Sequence, residues 1–235
     1  MFSVSMILVF VLVMIITGGA QLYVKSSFGK YSKIRAKSGL SGAEAARRML
    51  AHAGISHVRI ERSQGGDLSD HYDPRTQVIR LSGPVYGENS LAALGVACHE
   101  AGHAIQHAKK YAPLMIRNGI VPITSISSGM SEVCIMIGFF LLFSGAAAMG
   151  QVIGLIGVAM LGVVFLFQLI NLIPEFDASA RAKKELVSMG LIDRKTELGG
   201  VSTMLNAAAM TYVAGVIAAF LQLAYYAMIF LSNRR

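Results

Sequence analysis

The most prominent feature of the sequence is a set of four apolar stretches, each near the roughly 20 residues that a helix needs to cross a bilayer. None of the four contains a charged side chain. Because lipid offers the backbone no hydrogen-bonding partners, such stretches span membranes as helices. The pattern therefore predicts a mostly α integral membrane protein with four transmembrane helices, at residues 4–22, 133–149, 152–172 and 208–231.

Short connections and flanking residues indicate how these helices are arranged. Only Gly150 and Gln151 separate the second and third stretches, so we expect a tight hairpin there. Gly150 and Gly154 also have the small-xxx-small spacing that lets membrane helices approach closely. The first stretch lacks a preceding basic segment, which favours an uncleaved anchor over a signal peptide. The expected order is anchor, soluble unit, hairpin, soluble helix and C-terminal membrane helix, at residues 1–22, 23–132, 133–173, 174–207 and 208–235.

The basic residues predict the orientation of the protein. The formal net charge is +8 at pH 7, and most lysines and arginines lie in the segments 23–132 and 174–207. The positive-inside rule places both segments in the cytoplasm, although Arg234 and Arg235 then fall on the opposite side. Since this rule already accounts for the positive charge, the expected partner is the lipid bilayer, and no nucleic-acid partner is predicted.

The first soluble segment has the pattern of a small α+β unit. Ser41 followed by Glu44 is a capping box, which predicts a helix that ends at Gly54. Alternating apolar and polar positions then predict three strands. The sequence Asp73-Pro74-Arg75-Thr76 is typical of a turn between the last two of them. The predicted strands cover residues 58–61, 68–72 and 77–81.

A further helix, expected over residues 91–109 after the cap at Asn89-Ser90, carries the sequence His99-Glu100-Ala101-Gly102-His103. Residues i and i+4 lie on one face of a helix, so both imidazoles can bind one zinc ion through their ring nitrogens. Glu100 can take a proton from the activated water and pass it to the leaving amine. The motif predicts a zinc hydrolase with Glu100 as the catalytic base.

A catalytic zinc ion needs a third protein ligand, and two residues are candidates. His107 continues the helical face, but three successive i+4 positions span about 12 Å, which is too far for all three to reach one ion. His107 is therefore interpreted as a residue that supports the ligands, faces the substrate or caps the helix. Glu175 is the stronger candidate, because the hairpin returns it to the side that holds the histidines.

The residues around Glu175 extend this prediction. Pro174 is expected to begin a new helix there. Asp177 is a candidate acceptor for a hydrogen bond from a ligand imidazole. The alternative for Glu175 and Asp177 is that they are acids of a first helical turn, favoured by the helix dipole.

Other polar residues are candidates for contacts with substrate. His71 and Tyr72, at the end of a predicted strand, either border a substrate cleft or lie on a strand surface. Arg181 follows Glu175 by about two turns and is a candidate for holding an oxyanion or a lipid headgroup. Cys98 is interpreted as a small buried packing residue, since two cysteines do not make a disulfide framework.

Three runs of sequence together resemble a known family. They are residues 71–75, residues 97–108 with the zinc motif, and residues 175–179. In these runs the chain resembles the YugP-type neutral zinc metallopeptidases of bacteria, and the resemblance covers nearly the whole chain. It implies a multi-pass zinc peptidase of the plasma membrane that acts on proteins or peptides.

A more distant similarity concerns the third ligand. The chain is similar to the HtpX-like membrane gluzincins, in which a glutamate after a membrane hairpin binds the zinc ion. This similarity implies Glu175 as the ligand. Ser179 stands where those enzymes have an aspartate, so their second acidic residue has no counterpart in this chain.

Three functions are compatible with these features. The first is a zinc metalloendopeptidase at the cytoplasmic membrane surface that acts on membrane or membrane-associated proteins. The second is an intramembrane protease of the site-2 type, but the apolar run before His99 is only about eight residues, too short to place zinc at depth. The third is a zinc-binding scaffold or regulatory protein without turnover, because a complete set of ligands does not by itself establish catalysis.

Overall fold

The computed structural model describes residues 4–67 and 69–232, and this part of the chain is mostly helical. It divides into two compact units. The helical unit comprises residues 4–19, 116–172 and 212–232, and the αβ unit comprises residues 20–115 and 173–211. In chain order the elements are α1 Val4–Tyr31, α2 Gly42–His52, β1 Arg59–Arg62, β2 His71–Asp73, β3 Val78–Leu81, α3 Gly83–Gly87, α4 Leu91–Ala108, α5 Ala112–Phe143, α6 Ala147–Ser188 and α7 Leu198–Ser232.

Four of the described helices, α1, α5, α6 and α7, are long and apolar enough to cross a membrane. They contain 28, 32, 42 and 35 residues, so each exceeds the roughly 20 residues that a bilayer requires. Each of these helices includes much of one predicted apolar stretch. The prediction of a mostly α protein with four candidate membrane helices is therefore confirmed.

The hairpin turn, however, does not lie at Gly150 and Gln151, and it falls inside the predicted second span at 133–149. Helix α5 already begins at Ala112 and ends at Phe143, and α6 begins at Ala147. The turn is at Gly145, whose φ of +91° is a conformation that glycine adopts without steric cost. Gly150 instead continues α6, since a glycine in a membrane helix need not end it.

The expected close approach of the hairpin helices is confirmed. A Cβ atom on Gly138 of α5 would lie 2.8 Å from the Cα atom of Gly154, and one on Gly150 would lie 2.7 Å from the carbonyl oxygen of Gly138. Backbone atoms occupy these positions, so larger residues would force the helices apart. Glycine at positions 138 and 150 is therefore required for this packing.

Pro174 does not begin a helix, contrary to the prediction from sequence. It lies inside α6, which runs without interruption from Ala147 to Ser188. Proline removes one backbone N–H donor, and membrane helices tolerate this loss where neighbouring groups satisfy the freed backbone. As a result, the residues after Pro174 belong to the same helix as the predicted third span.

The αβ unit contains a sheet of three strands in the order β1-β3-β2, with β1 parallel and β2 antiparallel to β3. The Ser41–Glu44 capping box is present at the start of α2. The predicted turn is also present, and hydrogen bonds from the Thr76 hydroxyl and the Arg75 N–H hold the pKa of Asp73 at about 2. The predicted strand at 68–72 is reduced to β2, and Leu68 lies outside the described residues.

Helix α4 lies at the centre of the αβ core. Leu94, Ala97 and Ala101 of α4 are fully or almost fully buried, as are Met49 of α2 and Leu186 of α6. The N-terminus of α4 is fixed by Ser90, whose hydroxyl accepts a hydrogen bond from the N–H of Ala93. Cys98 is fully buried in the same cluster, as predicted, and burial raises the pKa of its thiol. The zinc motif is thus held on a rigid helix.

Candidate metal centre

His99 and His103 lie one turn apart on α4, and Glu175 of α6 completes a compact group with them. The Oε2 atom of Glu175 lies 3.3 Å from Nε2 of His99 and 3.4 Å from Nε2 of His103. Ligand atoms of the three residues all lie within 4.8 Å of one another. Two imidazoles and one carboxylate are a donor set that catalytic zinc sites use, with a further position left for water or substrate.

The hydrogen bonds of these residues fit a bound metal ion. The carboxylate oxygen Oε2 of Glu175 is buried and accepts no hydrogen bond from the described residues. Each imidazole uses its Nδ1 atom for a hydrogen bond to a neighbouring oxygen, at 3.0 Å in both cases. This arrangement fixes the ring orientation and leaves both Nε2 atoms directed at the Glu175 carboxylate, as expected for a metal site.

Ser179 is the partner of His99. Its hydroxyl oxygen lies 3.0 Å from Nδ1 of His99, and the residue is buried. Ser179 follows Glu175 by one helical turn, which places both side chains on the same face of α6. Ser179 therefore forms a neutral hydrogen bond with a ligand imidazole.

Gln106 is the partner of His103, and this role was not predicted from the sequence. The Oε1 atom of this fully buried residue lies 3.0 Å from Nδ1 of His103. Its amide nitrogen donates to Oδ2 of Asp177 and to the carbonyl oxygen of Pro174, both at 2.8 Å. Asp177 therefore contacts Gln106 and does not accept directly from an imidazole, which corrects the prediction. The one local signal for Gln106 was its position three residues after His103 on the same helix.

We expect Gln106→Leu to weaken zinc binding by about 10- to 100-fold, the range typical for residues that orient metal ligands. Leucine has a similar volume but cannot hold the imidazole of His103, and it leaves Asp177 and the Pro174 carbonyl without the amide donor. Zinc affinity measured by competition with a chelating dye checks this result. Gln64→Leu, at an exposed loop position, should leave the affinity unchanged. Equal affinities for both variants would show that Gln106 does not position His103.

Gly102, inside the motif, allows α4 and α6 to approach closely. A Cβ atom at this position would lie 2.9 Å from the carbonyl oxygen and 3.1 Å from the Cα atom of Ala178. Because these are backbone atoms, a side chain at position 102 would push α6 away. Ala178 is three residues from Glu175, so this contact brings the carboxylate within reach of the histidines.

Gly102→Ala is expected to lower both thermal stability and zinc affinity. Overpacking of a core typically costs about 1–3 kcal/mol, and displacement of α6 would also separate Glu175 from the imidazoles. The matched control is Gly95→Ala on the same helix, where the nearest atom is Cγ1 of Val201 at 3.3 Å, in a side chain that can move. Thermal unfolding with and without zinc should show a clear loss for Gly102→Ala and little change for Gly95→Ala. A stable Gly102→Ala protein with wild-type zinc affinity would contradict the role of this contact.

Glu100 is also buried, at 8% exposure, and its charge influences nearby groups. Burial lowers the pKa of His103, but the carboxylates of Glu175 and Glu100 and the Gln106 amide outweigh this, so the pKa lies above its usual value. Burial raises the pKa of Asp70, and the charge of Glu100 adds to that effect while hydrogen bonds from Ser82 oppose it. The site therefore has a negative field that suits a cation.

The remaining candidates are not part of this group of ligand atoms. His107 is not among the converging ligand atoms, and its Nδ1 atom lies 2.8 Å from the hydroxyl of Tyr72. Burial raises the pKa of Tyr72 to about 12, so its hydroxyl keeps its proton at neutral pH. His71 is exposed and contacts the carbonyl of Ser69. Arg181 pairs with Asp177 and lies over the ring of Tyr111.

Comparison with known proteins agrees with this geometry. The family described as "Putative neutral zinc metallopeptidase" matches residues 6–231 of the chain. The chain belongs to this family. Zinc is the metal of the family, and His99, His103 and Glu175 form a group that could hold it.

A curated relative and the solved structures complete the comparison. The chain is 45% identical to "Putative membrane protease YugP" of Bacillus subtilis (strain 168) over 217 residues, or 92% of each protein. No solved structure matches the chain. The predicted relationship to YugP-type zinc metallopeptidases is confirmed, as are the zinc cofactor and the classification as a membrane protein related to a membrane protease.

Proposed function

We propose that the protein is a membrane-bound zinc metalloendopeptidase in which His99, His103 and Glu175 hold the zinc ion and Glu100 is the general base. The observation that carries this proposal is the convergence of two Nε2 atoms on a buried carboxylate oxygen that accepts no hydrogen bond from the described residues. The family relationship supports peptide hydrolysis as the reaction. The candidate membrane helices support substrates that are membrane or membrane-associated proteins.

In this proposal each residue has a defined role in hydrolysis. Zinc, when bound, supplies a Lewis acid and lowers the pKa of water toward about 7. Glu100 accepts a proton from the attacking water as its oxygen forms a bond to the peptide carbonyl carbon. Glu100 then gives this proton to the amide nitrogen as the carbon–nitrogen bond breaks. Ser179 and Gln106 keep the two ligand imidazoles in position throughout.

We further propose that Tyr72 borders the substrate and stabilises the developing negative charge on the carbonyl oxygen. His107, which positions its hydroxyl, follows His103 by one turn, about 6 Å along α4. Removal of such a donor typically costs about 10²–10³-fold in kcat, so Tyr72→Phe should reduce kcat by that range and leave zinc content unchanged. Loss of zinc together with activity would instead assign Tyr72 a structural role.

The αβ unit is proposed to lie on the cytoplasmic side of a multi-pass plasma-membrane protein. The lysines and arginines of segments 23–132 and 174–207 support this orientation. Lys109, exposed at the end of α4, is a suitable position for a test, whereas native Cys98 is buried. A cysteine in place of Lys109 should react with an impermeant maleimide in inverted vesicles and not in intact spheroplasts. Labelling in spheroplasts but not in inverted vesicles would show that the αβ unit lies on the opposite side of the membrane.

Two features argue against an intramembrane protease of the site-2 type. Helix α4 is not among the four described helices that are long and apolar enough to cross a membrane. It also packs in one cluster with α2 and with residues of the sheet. Both features support a zinc site that substrates reach from the membrane surface, and therefore a preference for soluble or loosely folded segments of substrates.

The experiment that tests the proposed function is cleavage of an unfolded reporter protein by the purified chain in ¹⁸O-enriched water. Hydrolysis should produce internal fragments whose new carboxyl termini each carry one ¹⁸O atom, and a zinc chelator should abolish their formation. Absence of fragments from a zinc-loaded protein with any unfolded substrate would favour the zinc scaffold. Fragments that form equally well in the chelator would exclude a metallopeptidase.

A further inference from the structure

One charged side chain interrupts the long apolar sequence that follows Arg117 in the helical unit. Glu132 is the only Asp, Glu, Lys or Arg between residues 118 and 174. It lies inside α5, Ala112–Phe143, and the residue is exposed. The span predicted from the sequence at 133–149 leaves Glu132 just outside the membrane. An ionisable side chain within a membrane helix is energetically costly and by default marks a functional contact.

With the hairpin turn at one membrane surface, Glu132 lies near the middle of the bilayer. Helix α5 ends at Phe143, so Glu132 lies about 16 Å from this end along the helix axis. Across the hairpin, Gly157 of α6 meets Ile135 and Ser131 of α5, and Gly157 is near the centre of the charge-free stretch 147–174. Since the hydrocarbon core is about 30 Å thick, both helices place the carboxylate far from either headgroup layer.

Glu132 belongs to an exposed face of α5 that we call the Glu132 face. It consists of Ser125, Gly129, Glu132 and Met136, which are all exposed and follow the spacing of one helical stripe. Ser125 and Gly129 have the small-xxx-small spacing that permits close approach of another helix. A Cβ atom on Gly129 would meet no described atom within 4 Å. The Glu132 face therefore combines small residues, which another helix can approach closely, with a carboxylate about one turn away.

We propose that the Glu132 face is an intramembrane docking site for the transmembrane helix of another protein that carries a lysine or arginine at mid-bilayer depth. Hydrocarbon supplies no counter-ion, and a basic side chain on a neighbouring helix does. No ion pair among the described residues includes Glu132. Tyr226 of α7 is close enough to interact electrostatically with it, but a phenol is neutral at neutral pH and provides no cation.

A second copy of this chain does not supply the required cation. Residues 4–24, 147–174 and 198–232 contain no lysine or arginine. Arg117, on α5 itself, is about 22 Å from Glu132 along the helix axis. The occupant is therefore a different membrane protein. This inference does not depend on the proposed peptidase activity, because docking is measured as binding.

The test measures association between the full-length chain and synthetic single-span helices in lipid vesicles, by Förster transfer between fluorescent labels. The helices are identical leucine–alanine sequences with lysine, leucine or aspartate at the central position. We expect the lysine helix to associate about tenfold more tightly than the leucine helix, in the range of polar contacts between model membrane helices. The aspartate helix should associate more weakly than the leucine helix.

Variants distinguish the effect of the Glu132 charge from an effect of misfolding. Glu132→Gln should remove the preference for the lysine helix. Glu132→Lys should instead prefer the aspartate helix, and a misfolded protein would not show this reversed preference. Ile156→Gln, exposed on α6 at a similar depth, should leave the lysine preference intact. The proposal is overturned if wild type binds all three helices equally, or if the preference for lysine survives Glu132→Gln.

Discussion

Glu175→Ala is expected to lower zinc affinity by at least about 100-fold and to reduce peptide cleavage in parallel. Residues that only orient a ligand typically account for about 10- to 100-fold, and loss of a ligand itself should exceed that range. The carboxylate oxygen lies 3.3 Å and 3.4 Å from the two imidazole nitrogens, so alanine removes the atom that closes the donor set. Metal content at buffered free zinc and cleavage of an unfolded reporter measure the two effects together.

Glu185→Ala is the matched control for this change. Glu185 lies on the same helix, and its carboxylate pairs at 2.9 Å with the exposed imidazole of His52. Its removal leaves the metal ligands untouched, so zinc content and cleavage should stay at wild-type levels. If Glu175→Ala retained one zinc ion per chain at wild-type affinity, Glu175 would not be the third ligand.

Glu100→Gln is expected to reduce kcat by about 10²–10⁴-fold, the typical contribution of a general acid or base, while zinc content stays constant. Glutamine preserves the size of this buried side chain but cannot accept the proton of the attacking water. KM should change little, because the substitution removes a group needed in the transition state rather than a contact with bound substrate. Single-turnover cleavage at matched zinc occupancy measures the effect.

The matched control for Glu100→Gln is Glu88→Gln, at an exposed position after α3. This variant should cleave the reporter as fast as wild type. Equal cleavage by Glu100→Gln and wild type would point to a contaminating peptidase or to a different catalytic group. Loss of zinc from Glu100→Gln would instead show that Glu100 contributes to metal binding. The proposed mechanism predicts neither result.

The parts of the site that could be predicted from sequence are those with local signals. His99, Glu100 and His103 share one helix at a fixed spacing, and the Ser41 and Ser90 caps depend on residues three positions apart. Glu175 was predicted from topology, because a hairpin returns the chain to the same side. The structure places it with the two histidines.

The parts that could not be predicted depend on contacts between distant segments. Ser179 reaches His99 across 80 positions, and Gln106 reaches Asp177 across 71. Their spacing along the chain does not show which distant residues they contact. The hairpin turn was misplaced because residues 133–172 are apolar almost throughout, so hydropathy contains little information about where the chain reverses. Pro174 was taken as a helix start because its sequence context does not reveal that α6 continues through it.

The most direct test of a single catalytic zinc site is a titration of metal-free protein with zinc, in which bound zinc and reporter cleavage are recorded on the same samples. We expect that both rise together and saturate at one zinc ion per chain, and that Glu175→Ala shows neither rise over the same range. Cleavage by the metal-free protein would contradict a zinc-dependent peptidase. So would saturation at one zinc ion per chain without any cleavage, which would identify a zinc-binding membrane protein that is not a peptidase.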